Sequence, residues 1–238
     1  MFLIKDYLKI NMKQLLFIPV VLFCLFTHQK PKRIVKNNQI ISNSQPNIKI
    51  EVDENFEFIG KLDFILFNSA EVERYLFAVL ENDSIKKMLT FQFEAYLPDN
   101  EHTYKKNYND SIQLGEQWFG KENVNAVNIL HIKNFINKWK GKGLEHEVTY
   151  GYLDEKNYFY EDVVLSDFLV NYASDFRSEL VIAYYENISN FGLQPEAIGL
   201  DDTFVRVTIG GKDNSKNDKS PINQLKKNMM NSFKIIKE

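Results

Sequence analysis

The chain has 238 residues, 44% hydrophobic content and a formal net charge of −3. That length and apolar fraction suffice to bury one core of ordinary size. The slight acidity, with only four arginines (Arg33, Arg74, Arg177 and Arg206), offers no guanidinium cluster for phosphate, so no nucleic-acid partner is expected. Cys24 is the single cysteine, which excludes a framework of internal disulfides. The 19 phenylalanines and 12 tyrosines point to an aromatic-rich core.

The first feature along the chain is the apolar run Leu15 to Phe26, with Lys13 directly before it and Lys5 and Lys9 further back. It is shorter than the ~20 residues of a spanning helix and holds Pro19 in its middle. Its length suits a signal-peptide h-region, and Met12 offers an alternative start. No small-residue cleavage site follows it. Val21-Leu22-Phe23-Cys24 resembles a bacterial lipobox in its aliphatic first position and its cysteine, and departs at Phe23, where that family has Gly, Ala or Ser. The resemblance implies lipid attachment at Cys24. Release of a secreted protein and an uncleaved anchor stay open beside it. The charges at Lys30, Lys32, Arg33 and Lys36 favour the cytoplasmic side instead. Residues 1–26 are therefore expected as a leader and 27–46 as a flexible linker, from the charges, Asn37-Asn38 and Ser42-Asn43-Ser44-Gln45-Pro46. Residues 47–238 are expected as a single domain.

Within that domain, alternation predicts strands at Ile48 to Val52, Leu89 to Leu97, Leu144 to Leu153 and Thr203 to Ile209, with others at Ile112 to Trp118 and Tyr158 to Tyr160. Leu180 to Tyr185 reads as a strand buried on both faces. Phe56 to Phe67 fits either a helix or a strand. Asn68-Ser69-Ala70-Glu71 resembles a capping box, and Val72, Tyr75, Leu76, Val79 and Leu80 then predict a helix to Glu81. Helices are also predicted over Val124 to Lys140, from Asp162 to Phe176, and from Ser220-Pro221 through Ile236. This mixture without regular alternation predicts an α+β domain, with a mostly antiparallel sheet and about four packed helices.

Motifs for chemistry are sparse. His146-Glu147-Val148-Thr149-Tyr150 has the start of a zinc-hydrolase H-E-x-x-H pattern, but tyrosine stands where the second histidine belongs. On the expected strand, His146 and Glu147 would also diverge, so no metal site is assigned. The other histidines are His28 beside the leader, His102 in a polar loop and His131 on a helix. Acidic pairs occur at Asp154/Glu155, Glu161/Asp162 and Asp201/Asp202, where capping and turn roles compete with catalysis. Neither a nucleophile elbow nor a phosphate-binding glycine loop is present, and no cofactor is implied. Tyr152, Tyr158 and Tyr160 are candidates for a ligand-binding platform, with cross-strand packing as the competing role. Trp118 and Trp139 have the same two readings.

These observations favour an exported or membrane-tethered, non-catalytic domain that binds a ligand or a protein at the cell envelope. The first alternative is an exported hydrolase that uses scattered carboxylates with His146 or His131. The second is an accessory protein tethered on the cytoplasmic side.

Overall fold

The computed structural model describes residues 33–104, 108, 110–121, 126–142, 144–193, 204–208 and 220–236. The expected leader with Cys24 lies outside them, as do Asp201/Asp202.

Short polar turns with the backbone chemistry of tight hairpins set the topology. Asn37-Asn38 joins β1 (Arg33–Lys36) to β2 (Gln39–Ser42), and Asn82-Asp83 joins β5 (Ala70–Glu81) to β6 (Ser84–Tyr96). All four turn residues have φ between 50° and 62°, the left-handed region that Asn and Asp tolerate and that two-residue hairpins require. Residues 33–46, expected within a flexible linker, therefore carry two paired strands. β2 also pairs with β3 (Ile48–Val52).

The remaining strands are β4 (Glu57–Leu66), β7 (Asp110–Leu114), β8 (Gln117–Lys121), β9 (Ala126–His131), β10 (Val163–Tyr172), β11 (Ser178–Asn187), β12 (Phe204–Thr208) and β13 (Phe233–Ile236). A nine-stranded sheet runs β12-β9-β10-β11-β6-β5-β4, with the β7–β8 hairpin attached to β10 beside β9. A four-stranded sheet runs β1-β2-β3-β13. Every ladder between named strands is antiparallel.

Three α-helices occur among the described residues: α1 (Ile132–Trp139), α2 (Glu145–Glu155) and α3 (Pro221–Asn231). The protein is mainly β, which corrects the expected α+β domain with about four packed helices. The helices predicted at 69–81 and 162–176 are β5 and β10. Both strands have partners on each side and are covered on both faces. Apolar side chains fall on both faces of each, and such a run satisfies helical spacing as readily as strand spacing. The reverse error occurs at 144–153, predicted as a strand and observed in α2. There His146, Thr149, Tyr150 and Leu153 share one face at i, i+3, i+4 and i+7, and polar Thr149 concealed that period.

Alternation along β5, β6 and β11 divides the core in two. One face of the large sheet carries Tyr75, Phe77, Phe91, Phe93, Ile182 and Tyr184 and packs against the small sheet and α3, through residues such as Ile50, Leu225 and Phe233. Phe91 stands edge-on to both Phe77 and Phe233, at 5.8 Å between ring centroids in each case. The opposite face carries Leu76, Ala78, Met88 and Tyr185 and is roofed by α1 and α2 through Ile132, Tyr150 and Leu153.

Candidate functional site

The helix-covered face holds a polar interior. Four rungs cross β10, β11, β6 and β5 in register there: Ser166–Tyr185–Met88–Ala78, Phe168–Ala183–Thr90–Leu76, Val170–Val181–Gln92–Arg74 and Tyr172–Glu179–Glu94–Val72. The first rung extends onto β9 at Asn128. Arg74, Thr90, Gln92, Glu94, Asn128, Ser166 and Glu179 are all buried. Between this floor and the two helices lies a cavity of about 340 Å³, closed above by Phe135 of α1 and by Glu145 and His146 of α2.

Arg74 ties the floor to the roof. Its Nε donates to Gln92 Oε1, and its Nη1 donates to Thr149 Oγ1 at 2.6 Å and to the Glu145 carbonyl at 3.2 Å. Its Nη2 lies 3.9 Å from Glu145 Oε1. Gln92 passes the network on through its Nε2, which donates to Glu94 Oε1. Tyr104 donates to the other Glu94 oxygen at 3.2 Å. The Tyr104 ring stacks on Tyr96 at 4.4 Å and stands 6.4 Å from Tyr172, so aromatic rings border the carboxylate rung.

Two groups in this cavity are perturbed by their burial. Glu179 lies directly opposite Glu94, and burial together with the charges of Glu94 and Glu145 pushes its carboxyl up to about 8. Burial also raises Glu94, against the Gln92 hydrogen bond and the charge of Arg74. His146 is enclosed by Phe135, Tyr150 and Tyr185. Burial lowers its imidazole to about 4, so the ring is neutral at physiological pH. Its Nδ1 is buried without a hydrogen-bond partner, 3.7 Å from Glu145 Oε1. A buried polar atom without a partner costs about 1–3 kcal/mol, which a ligand donor would recover.

His146 is thus the one sequence candidate that the fold brings into the cavity. Glu147 points elsewhere and accepts from Gly141 N, closing the turn after α1. His131 caps α1, accepting from Asn134 N, and Asp162 accepts from Lys133 N at the same helix start. Glu161 accepts from Ser189. Tyr152 donates to the Ile59 carbonyl at 2.7 Å, Tyr160 donates to Asp154 at 3.0 Å, and Tyr158 packs beside the helix-face core; none of the three lines the cavity. Trp118 and Trp139 are exposed. Among the described residues no group of three or more His, Cys, Asp or Glu is placed to hold a metal ion.

Sequence reasoning passed over Arg74, Glu94 and Glu179. The available signal was the polar side of an otherwise apolar strand, Thr90, Gln92 and Glu94, set against one of only four arginines. No helix among the described residues is long and apolar enough to cross a membrane. No family model, curated protein or solved structure matches the chain.

Proposed function

We propose that this chain is a non-catalytic ligand-binding domain of the cell envelope, and that its ligand occupies the cavity between α1, α2 and the large sheet. The observation that carries the reading is the conjunction of a preformed cavity with the unpartnered His146 Nδ1 and the Glu179 carboxyl inside it. A volume of about 340 Å³ falls within the range of small-molecule sites. Envelope placement rests on the Leu15 to Phe26 run, with Cys24 as the lipid attachment point.

Amide and imidazole NMR shifts of the full chain, followed against a library of small cations, anions and neutral polar molecules, test the binding reading. Saturable shifts centred on His146 and Glu179 support it. A library that leaves both unmoved overturns it. Mass spectrometry of the native N-terminus tests the placement: an acylated Cys24 supports it, and a chain that retains Met1 or Met12 removes cleaved export.

A second reading is hydrolysis by the same carboxyl pair. Glu94 and Glu179 are directly opposed on the ladder, and the Glu179 carboxyl is raised to about 8, as a glycosidase pair holds one of its carboxyls protonated.

A further inference from the structure

We infer that the ligand of this cavity is a small organic ammonium cation, seated between the Glu94 and Glu179 carboxylates with a second donor directed at His146 Nδ1. The inference rests on the cavity being a ligand site and adds the ligand's charge and the groups that read it.

Charge complementarity is the first argument. Glu94, Glu145 and Glu179 bring three carboxyls to the cavity, and Arg74 is the one cation among the described residues that line it. Arg74 is already committed to Gln92, Thr149 and Glu145. Asp167 also borders the cavity, but its carboxylate pairs with buried Lys121. Glu94 and Glu179 are thus a like-charge pair in a desolvated rung, which is unfavourable while both are ionised. An ammonium group between them supplies the missing charge and donates to both.

The second argument is independent of the acidic cluster. Neutral His146 offers an acceptor and nothing among the described residues donates to it. With the ring proton on Nε2, its Nδ1 accepts an N–H or O–H, which a carboxylate or phosphate ligand does not bring. Such an anion would also meet three carboxyls at once. The aromatic borders, Phe135 and Tyr185 within the cavity and Tyr96, Tyr104 and Tyr172 beside the rung, suit a cation with an aliphatic body.

Binding must release a proton wherever the pair carries one. The titratable and charged groups around Glu179 are Glu94 on β6, Tyr172 on β10, Glu145 and His146 on α2, Arg74 on β5, and Tyr96 and Tyr104 at and after the end of β6. Of these, the carboxyl pair holds the proton that changes hands near neutrality. That proton leaves to buffer as the ammonium enters.

Calorimetry of the full chain with 1,4-diaminobutane, in two buffers of different ionisation enthalpy, reads both affinity and proton release. The expected result is saturable binding that tightens at least ten-fold from pH 6 to pH 8, with about one proton released per ligand at pH 6.5. Glu179→Gln should weaken binding ten-fold or more and abolish the proton release. Succinate serves as the anionic counterpart. If succinate shifts His146 and Glu179 while 1,4-diaminobutane does not, the cation inference falls and the cavity remains a ligand site. If neither ligand shifts them, the cation inference falls, and the full library decides whether the cavity is a ligand site. Binding of 1,4-diaminobutane to the wild-type chain without pH dependence or proton release also overturns the inference, whether or not the variant folds.

Discussion

Glu94 on β6 and Glu179 on β11 occupy directly opposed positions of one antiparallel ladder, both buried, on the sheet face that α1 and α2 cover. Their separation in sequence makes the pair a product of register alone. Such a rung is tolerated because a carboxyl can take up a proton instead of a charge when water is removed.

That pairing makes the unliganded protein pH-dependent. The Glu179 carboxyl is raised in the folded state to about 8, so folding favours its protonated form. The favourable contribution is present below the pKa of the unfolded chain and is lost progressively as pH rises from there through about 8. Thermal denaturation should therefore show a lower midpoint at pH 8.5 than at pH 5.5. Glu179→Gln should flatten that dependence and raise the midpoint at pH 8.5 by several degrees, at ~2–4 °C per kcal/mol for a domain of this size.

Arg74 is the hub between floor and roof. Arg74→Met takes the guanidinium donors from the Gln92 amide oxygen and the Thr149 hydroxyl, and the cation from beside Glu145. Removing one member of a buried ionic network costs about 3–5 kcal/mol, and urea denaturation should show a loss of that size. Arg74→Lys should recover only part of it, because an ammonium cannot reproduce the fork that reaches three acceptors.

On the opposite face Lys121 and Asp167 form a buried ion pair. Lys121→Met alone should destabilise by about 3–5 kcal/mol because it removes the ammonium paired with the buried Asp167 carboxylate. Lys121→Met with Asp167→Leu should recover most of that loss. A double-mutant cycle in urea measures the difference, and a double variant as unstable as the single one would contradict the pairing.

Tyr152 serves as a tie between α2 and β4. Tyr152→Phe should cost about 1 kcal/mol through loss of the bond to the Ile59 carbonyl. Gly60→Ala should cost more, since its Cβ would overlap the Tyr152 hydroxyl and ring and displace both. Comparing the two urea midpoints separates this tie from a ligand-binding role for Tyr152, which predicts no stability change.

The carboxyl pair also shows why part of the molecule was legible in advance and part was not. Ile48 to Val52 reads as a strand because its alternating apolar side chains meet a core on one side only. Asn37-Asn38 and Asn82-Asp83 carried a hairpin signal equal to their role, yet the charges around the first disguised it as linker. β5 and β10 misled because strands covered on both faces lose their alternation, leaving only density. For the site, His146 stood out by its chemistry, whereas Glu94 and Glu179 looked like ordinary polar positions of strands.

What the sequence by itself determined is the apolar run Leu15 to Phe26, the aromatic-rich composition, the exclusion of internal disulfides, and the strands whose two faces differ. These follow from local chemistry and short-range period. What only the tertiary structure decided is that α2 is a helix, that 70–81 and 163–172 are strands, and that Arg74, Glu94, His146 and Glu179 line one cavity. Those outcomes depend on which surfaces are covered and on pairing between distant segments. Burial and register are properties of the assembled sheet, and no local window of the chain encodes them.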